Sequence, residues 1–221
     1  DMTPGEGYQI KSTSPNTLVL EGDFIPSNYP ISHPGGWFIM AYLHQSPADA
    51  VEMMDPIYED LDILKNYAGQ VVWPYFGFNT IGNMVPGQGY QIKTMNSIPL
   101  TYTYPDIYNG GRLGEFGEEF ISRKYQKPVN TGNNMVVAIP DDAWDYTPEF
   151  GDEIVVIDEE GLVVGNAPYT ANASVITIWG DDILNDYKDG LRVNEKLNFK
   201  LFKHHQNIVQ DMAFEKIVKI S

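Results

Sequence analysis

The chain has 221 residues, with 30 acidic against 14 basic residues and no cysteine. This length can bury one large core or two modest ones. A formal net charge of −16 repels phosphate groups, which argues against nucleic acid and anionic membrane surfaces as partners. The absence of cysteine excludes disulfides, thiolate metal sites and a cysteine nucleophile. Because the sequence has no long apolar run, it predicts no membrane insertion.

An eight-residue motif occurs twice, and its first copy lies close to the start of the chain. Residues 4–11 read PGEGYQIK and residues 86–93 read PGQGYQIK, and only Glu6 and Gln88 differ between them. Repetition at such an interval predicts a duplicated module. Because the body of the first copy would precede residue 4, we expect the chain to be an interior piece of a longer repeat protein.

Residues 1–25 are interpreted as the end of a preceding repeat module. They contain apolar stretches that predict strands at residues 8–11 and 18–20, separated by a turn of serine, proline and asparagine. A complete small α+β repeat module is predicted at residues 26–105, and it opens with a connection rich in proline and glycine.

The complete module begins with a strand and a helix. The run at residues 37–43 is apolar throughout and predicts a strand that is buried on both faces. Ser46 and Pro47 predict the start of a short amphipathic helix, with Ser46 as its N-cap. Pro56 is expected to end or kink that helix.

A hairpin and two further strands complete the module. Residues 61–65 and 70–73 flank the stretch 66–69, which ends in glycine and predicts a tight turn between two strands. Strands are also predicted at residues 86–93 and 100–104. The order of elements is therefore β-α-β-β-β-β.

The second half of the chain has a different pattern. Residues 106–128 are rich in glycine and glutamate and are interpreted as a linker. Short apolar runs separated by turn residues follow, with the clearest hairpin at residues 154–157 and 162–165. Residues 129–221 are therefore predicted to form an antiparallel β-sandwich, with a last strand at 215–220. The predicted fold class of the whole chain is mainly β with minor α.

Sequence signatures of catalysis are missing. There is no G-x-S-x-G, H-E-x-x-H, G-x-x-x-x-G-K-[ST] or C-x-x-C pattern. The two Gly-x-Gly-Tyr turns lack the third glycine and the following helix that a dinucleotide site requires. We therefore expect no enzyme and no cofactor other than the calcium considered next, and we expect these glycines to be structural.

Oxygen-bearing side chains crowd one stretch of the second domain: Asp181, Asp182, Asn185, Asp186 and Asp189. Carboxylate and amide oxygens are the ligands that Ca²⁺ prefers, although Tyr187 stands where a further ligand would be expected. Two interpretations stay open here, a calcium loop and a solvated turn between strands.

Tryptophan and tyrosine side chains offer a second kind of candidate site. Trp144 and Tyr146 lie in a polar stretch, and exposed aromatic rings can stack on sugars, so these two are the candidates for a glycan contact. Packing of Trp144 in the core is the alternative. Trp37 and Trp179 lie at the ends of apolar strands and are expected in the core.

Two groups of motifs carry a resemblance to known proteins. The first module contains GWFIMAYL at residues 36–43, IG at 81–82 and PGQGYQIK at 86–93. The second contains TGNNM at 131–135, GDEI at 151–154, GLVVG at 161–165 and IWGDD at 178–182. The first set resembles repeat modules of large secreted and cell-surface, adhesin-like proteins of Bacteroidota, many of them exported by the type IX system. The second set resembles a β module that often follows in the same proteins.

This resemblance implies an extracellular or cell-surface location and a non-catalytic, structural or adhesive role in a surface filament or appendage. The partners it implies are neighbouring modules of the same chain, further copies in a homo-oligomer, and a cell-surface glycan or protein. The alternative from another class is a pair of carbohydrate-binding modules attached to a secreted hydrolase, with the acidic stretch as a calcium staple.

Overall fold

The computed structural model describes residues 2–107, 121–170, 173–215 and 218. The chain divides into two compact units, Asp1–Glu118 (unit 1) and Glu119–Ser221 (unit 2). Both are built from antiparallel strands, and the described residues contain one short α-helix, so the predicted mainly β fold with minor α is confirmed. Of the predicted linker at 106–128, residues 108–120 lie outside the described part of the chain.

Within its described residues, unit 1 contains one larger sheet and two strand pairs. Its strands are β1 (Ile31–His33), β2 (Trp37–Ala41), β3 (Ala48–Asp49), β4 (Leu61–Lys65), β5 (Val71–Trp73), β6 (Phe78–Asn79), β7 (Asn83–Met84), β8 (Gly89–Thr94) and β9 (Leu100–Tyr102). The larger sheet has the order β2-β8-β4-β5-β6, while β1 pairs with β9 and β3 with β7. Two 3₁₀ helices, Asp55–Asp60 and Pro74–Phe76, connect the strands.

The second copy of the repeated motif forms β8, which lies between β2 and β4. Ile92 stands opposite Phe38 in β2 and Leu64 in β4. Successive side chains of a strand point to opposite faces, and every second residue of β8, beginning with Tyr90, is buried. The motif therefore supplies a central strand of the core of unit 1.

The α-helix begins later than predicted. It spans Ala50–Met54, and the carboxylate of Asp49 caps it by accepting hydrogen bonds from the backbone N–H groups of Val51 at 2.8 Å and Glu52 at 3.1 Å. The prediction of Ser46 as the N-cap was wrong, because residues 48–49 pair with β7 as a strand and so cannot be helical. The chain continues into the 3₁₀ helix that contains Pro56.

The hairpin predicted across residues 66–69 is confirmed. The side-chain oxygen of Asn66 accepts hydrogen bonds from the backbone N–H groups of Ala68 at 3.0 Å and Gln70 at 2.9 Å. Gly69 has φ of 81°, which only glycine adopts at little cost. Local side-chain chemistry therefore sets this turn.

Two predictions about strands in unit 1 were wrong. Residues 8–11 and 18–20 belong to no strand in the described part of the chain. The run at residues 37–43 is not buried on both faces, since Trp37 is 55% exposed at the edge of its sheet. An apolar sequence becomes a buried strand only where neighbouring strands cover it.

Lys65 is a buried cation in unit 1, and its Nζ lies 5.8 Å from the centre of the Trp37 ring. Burial lowers its pKa to about 8, because the charged ammonium loses hydration. The unfolded chain, with an ordinary pKa of 10.5, binds more protons than the folded chain between about pH 8 and 10.5. The free energy of unfolding should therefore rise with pH in this window.

We expect Lys65→Met to stabilise unit 1 by about 1–2 kcal/mol at pH 7, since methionine fills the same volume without a charge to desolvate. The variant should also lose the rise in stability between about pH 8 and 10.5. Urea unfolding across this pH range measures both effects. Lys93→Met is the contrasting variant, because Lys93 pairs with Asp62 at 2.8 Å and its removal should bring no gain. A Lys65→Met protein less stable than the parent at pH 7 would contradict the argument.

The described residues of unit 2 form one six-stranded antiparallel sheet. Its strands are β10 (Asn134–Ile139), β11 (Glu153–Ile157), β12 (Val163–Pro168), β13 (Ser174–Trp179), β14 (Asn198–Lys203) and β15 (Ile208–Asp211), and a 3₁₀ helix covers Asp141–Ala143. The order in the sheet is β10-β13-β12-β11-β14-β15. The strands that we expected to form a sandwich therefore lie in one hydrogen-bonded sheet. The predicted last strand at 215–220 lies mostly outside the described residues.

The hairpin between β11 and β12 is confirmed, and Asp158 organises it. One carboxylate oxygen of Asp158 accepts hydrogen bonds from the backbone N–H groups of Glu160 at 2.9 Å and Leu162 at 2.8 Å. Gly161 follows with φ of 93°. The core beneath includes Ile154, Val156, Val164, Ile176, Ile178 and Leu201. Across the described ranges of both units, we find no helix with the length and apolarity needed to span a bilayer.

Candidate docking site of the duplicated turn

The second copy of the motif forms a tight turn before β8, which we call turn 2 (residues 85–90). The backbone N–H of Val85 donates a hydrogen bond to the hydroxyl oxygen of Tyr90 at 2.8 Å, and this hydroxyl donates to the side chain of Gln88 at 3.2 Å. Gly87 has φ of 79°. Burial raises the pKa of Tyr90, so its hydroxyl keeps its proton and stays a donor.

The first copy forms the same turn, which we call turn 1 (residues 3–8). The backbone N–H of Thr3 donates to the hydroxyl oxygen of Tyr8 at 2.7 Å, and this hydroxyl donates to the carboxylate of Glu6 at 3.2 Å. Gly5 has φ of 81°, close to the 79° of its counterpart Gly87 in turn 2. Glutamate and glutamine both offer an acceptor oxygen at this position, so the one difference between the copies preserves the turn.

Turn 1 lies against the outer edge of β2. The backbone N–H of Gly7 donates to the carbonyl of Ile39 at 2.8 Å, and the N–H of Ala41 donates to the carbonyl of Gly5 at 3.0 Å. Glu6 stands opposite Met40 as an antiparallel bridge. Since β8 occupies the other edge of β2, this strand lies between the two copies of the motif.

Glycine is required at both contact points of turn 1. A Cβ atom on Gly5 would lie 2.7 Å from the side chain of Ile31, and one on Gly7 would lie 2.5 Å from the side chain of Ile39. Atoms this close must move apart. A Cβ on Gly87, the counterpart of Gly5 in turn 2, would meet nothing within 4 Å. At this position the close approach is therefore found in turn 1 and not in turn 2, although the motif is the same.

We expect Gly5→Ala to release turn 1 from β2, whereas Gly87→Ala should not. Both variants place alanine at a positive φ and so carry the same backbone strain, but only Gly5→Ala also collides with Ile31. The readout is amide hydrogen exchange of Ala41, whose N–H is bonded to Gly5. Exchange should become about tenfold faster in Gly5→Ala than in Gly87→Ala. Equal rates in the two variants would show that the contact adds no stability.

In unit 2 the structure brings together four of the five candidate calcium ligands. Asp182 and Asp189 are buried, and the side-chain amide of Asn185 donates to both, at 3.2 and 2.8 Å. Asp181 accepts hydrogen bonds from the backbone N–H of Asp189 at 2.9 Å and from the guanidinium of Arg192 at 2.9 Å. These contacts join the start and the end of the stretch into a closed loop.

The fifth candidate, Asp186, is exposed on the surface of the loop. The guanidinium of Arg192 lowers the pKa of Asp181, which keeps that carboxylate charged. Among the described residues, no group of three or more histidine, aspartate or glutamate side chains is arranged to hold a metal ion. Hydrogen bonds from Asn185, Arg192 and the backbone hold these carboxylates in place. Calcium binding stays a prediction.

Sequence reasoning missed the ion cluster beside this loop. The ammonium of Lys188 lies 2.6 Å from the carboxylate of Asp158 and 2.5 Å from that of Glu195, with Glu160 further away at 3.4 Å. Lys188 is the one basic residue in the acidic stretch 181–189, and this was the available signal. The cluster ties the loop to the hairpin between β11 and β12.

The candidate glycan residues differ in exposure, since Trp144 is partly buried and Tyr146 is 40% exposed. Trp144 is partly buried against the core, with its ring 5.7 Å from that of Tyr169 at 80°, an edge-to-face contact. The ammonium of Lys203 lies 4.4 Å from the centre of the Tyr146 ring and covers one face of it. Of the two tryptophans expected in the core, Trp179 is buried and Trp37 is exposed, which corrects the prediction for Trp37. Glycan binding by Trp144 and Tyr146 stays a prediction.

The contacts of turn 1 are the arrangement in the chain that most directly points to a function. They consist of two backbone hydrogen bonds and two glycines in close approach. Such a site can bind and orient a strand edge. No family model, no curated protein and no solved structure matches the chain.

Proposed function

We propose that this chain is a non-catalytic structural segment of a large extracellular repeat protein, in which the duplicated turn connects successive modules. One observation carries the proposal. The same turn, with the same hydrogen bonds, is used in two ways: turn 2 leads into the central strand of its own module, and turn 1 is bonded to the edge of β2. A repeat array needs such a contact, because each unit is stabilised by its neighbour.

A contact of this kind would hold neighbouring modules at a fixed spacing and stiffen the array. Loop segments between modules move freely unless hydrogen bonds and close packing fix them. Turn 1 fixes the segment before residue 8 to the sheet of unit 1 through its backbone, so a force along the chain would pass into the sheet. The resemblance to adhesin-like surface proteins of Bacteroidota agrees with this role and with a location outside the cell or on its surface. The proposed partners are neighbouring modules and, through exposed strand edges, further copies or surface molecules.

Electron microscopy and light scattering of the full-length protein that carries this segment test the proposal. The expected result is an elongated particle with a regular module spacing. Gly5→Ala should loosen the particle at this module, while Gly87→Ala, with the same strain but no collision, should leave it straight. A compact particle whose shape is unchanged by Gly5→Ala would overturn the proposal. Labelling of intact cells with an antibody against unit 2 tests the location separately.

A further inference from the structure

Residues 8–11 have the same sequence as residues 90–93 but lie in a different environment. Tyr90 and Ile92 are 1% and 0% exposed inside unit 1, whereas their counterparts Tyr8 and Ile10 are 43% and 62% exposed. The alternation of large apolar and polar residues is the pattern of a half-buried strand. In the described part of the chain, residues 8–11 nevertheless belong to no strand.

The turn before residues 8–11 already has the structure of the turn before the buried copy. Turn 1 makes the same two tyrosine hydrogen bonds as turn 2, and its glycine has the same positive φ. What differs is therefore the surroundings and not the local conformation before the strand. Because turn 1 is preformed, less conformational entropy is lost when residues 8–11 pair as a strand, which favours their binding to a partner.

The buried copy specifies what would cover residues 8–11. β8 is flanked by β2 and β4, with Phe38 and Leu64 on either side of Ile92. On the β4 side, Asp62 forms an ion pair with Lys93 at 2.8 Å. A matching partner therefore has two antiparallel strands with an apolar residue opposite Ile10 on each side and a carboxylate near the start of the second strand.

The backbone groups that bind β2 differ between the two copies of the turn. Turn 1 uses the carbonyl of Gly5 and the N–H of Gly7 to bind β2. In turn 2, the group that binds the module's own β2 is the carbonyl of Gln88, which accepts from Tyr42 at 3.0 Å. Its counterpart in turn 1 is the carbonyl of Glu6. The two contacts therefore use different backbone atoms of the turn.

We propose that residues 8–11 form the central strand of a second module of the same type, between strands equivalent to β2 and β4. The partner is a body equivalent to residues 31–85. Turn 1 then joins two sheets, because residues 5–7 bind the edge of one and residues 8–11 complete the other. This inference rests on the proposed function and names the partner at that site.

A chain with a second copy of residues 26–85 placed directly before Pro4 tests the inference. The junction reproduces the natural step from Val85 to Pro86. Amide hydrogen exchange of residues 8–11 is measured in this extended chain and in the present chain. We expect exchange at least about 100-fold slower in the extended chain, similar to residues 90–93. Unchanged exchange at residues 8–11, whether or not the added residues fold, would overturn the inference.

Ile10→Asp provides the matched variant. In the present chain it should leave the melting temperature unchanged, because the side chain is exposed. In the extended chain it should remove the protection of residues 8–11 and of the added body, while Ile98→Asp, at another exposed isoleucine, should not. A dimer of the present chain that Ile10→Asp dissociates would overturn the inference in favour of a second copy as the occupant. These readouts test the strand alone, whereas the shape of the full-length particle tests the proposed function. Either test can fail while the other succeeds.

Discussion

Lys188→Met is expected to destabilise unit 2 by about 2 kcal/mol, which corresponds to a loss of about 10 °C in the melting temperature of a unit of this size. The side chain of Asp158 is completely buried, and Lys188 is the cation beside it at 2.6 Å. Removing one partner of a buried pair leaves the other charge without compensation. The loss should stay below the largest values for such pairs, because Asp158 keeps its two backbone N–H donors.

The effect of Lys188→Met should depend on pH. Burial raises the pKa of Asp158, but the hydrogen bonds from Lys188, Leu162 and Glu160 outweigh it and bring the pKa below 3.8. Lys188 also lowers the pKa of Glu195 from its ordinary 4.5. A carboxyl group with a lowered pKa stabilises the fold above its ordinary value and loses that contribution as the pH falls through the folded value.

The pKa of Lys188 itself is affected in the opposite sense at alkaline pH. Burial lowers this pKa, but the carboxylates of Asp158 and Glu195 outweigh burial and raise it above 10.5. A raised pKa of a base stabilises the fold below its ordinary value and loses that contribution at higher pH. The difference in stability between parent and Lys188→Met should therefore be largest between about pH 4.5 and 10.5 and shrink on both sides.

Thermal unfolding of parent and variant between pH 3 and 8 measures the acid side of this dependence. Lys196→Met is the matched control, since it removes a lysine from the exposed surface of the same unit. It should change the melting temperature by less than about 2 °C. A difference between parent and Lys188→Met that is equal at pH 3 and pH 7 would show that packing, and not charge, accounts for the loss.

Sequence reasoning succeeded where the residues themselves set the structure. Asn66 and Gly69 define one hairpin, and Gly161 defines the other, because side-chain hydrogen bonds and positive φ are local properties. The helix start was wrong for a comparable reason. Ser46 and Asp49 are both good N-caps, and the choice between them is made by the pairing of residues 48–49 with β7, which is distant in sequence.

The two copies of the motif show which features depend on the local sequence and which depend on residues distant in sequence. Both copies form the same turn, which the sequence of eight residues specifies. Only one copy is a buried strand, because a strand depends on neighbours that the motif does not contain. For the same reason sequence could point to the repeat but could not show that turn 1 binds β2, since this contact joins residues 5–7 to a strand more than 30 positions away.

In unit 2, sequence found the acidic stretch but not what holds it. The pattern of Asp and Asn suggested oxygen ligands for a cation, and the structure shows these oxygens accepting hydrogen bonds from Arg192, Asn185 and the backbone. Arg192 and Lys188 are the positive charges at the loop, and both lie within the same segment of sequence. Lys188 and Arg192 in and beside the acidic stretch indicate a turn whose carboxylates pair with bases of the protein.

Tyr104→Ala is expected to cost unit 1 about 3–5 kcal/mol, the range for removal of a buried aromatic ring. Its ring packs edge-to-face against Tyr42 at 5.4 Å and Tyr102 at 4.8 Å, and its hydroxyl donates to the carbonyl of Ala41 at 3.1 Å. Burial raises the pKa of Tyr104 well above 10, so the hydroxyl remains a donor at every physiological pH. Tyr104→Phe keeps the ring and should lose only about 1 kcal/mol.

Tyr104 also affects the docking of turn 1, apart from its effect on packing. The residue that Tyr104 holds by its carbonyl, Ala41, is the one whose N–H binds Gly5. Tyr104, which follows β9, and Gly5 of turn 1 therefore both bind β2 at Ala41. Tyr104→Ala should speed exchange of the Ala41 amide by more than its loss of global stability predicts, whereas Tyr75→Ala, at an exposed ring, should change neither. Urea unfolding with amide exchange measures both quantities, and a Tyr104→Ala protein as stable as Tyr75→Ala would contradict the role of this ring in closing the module.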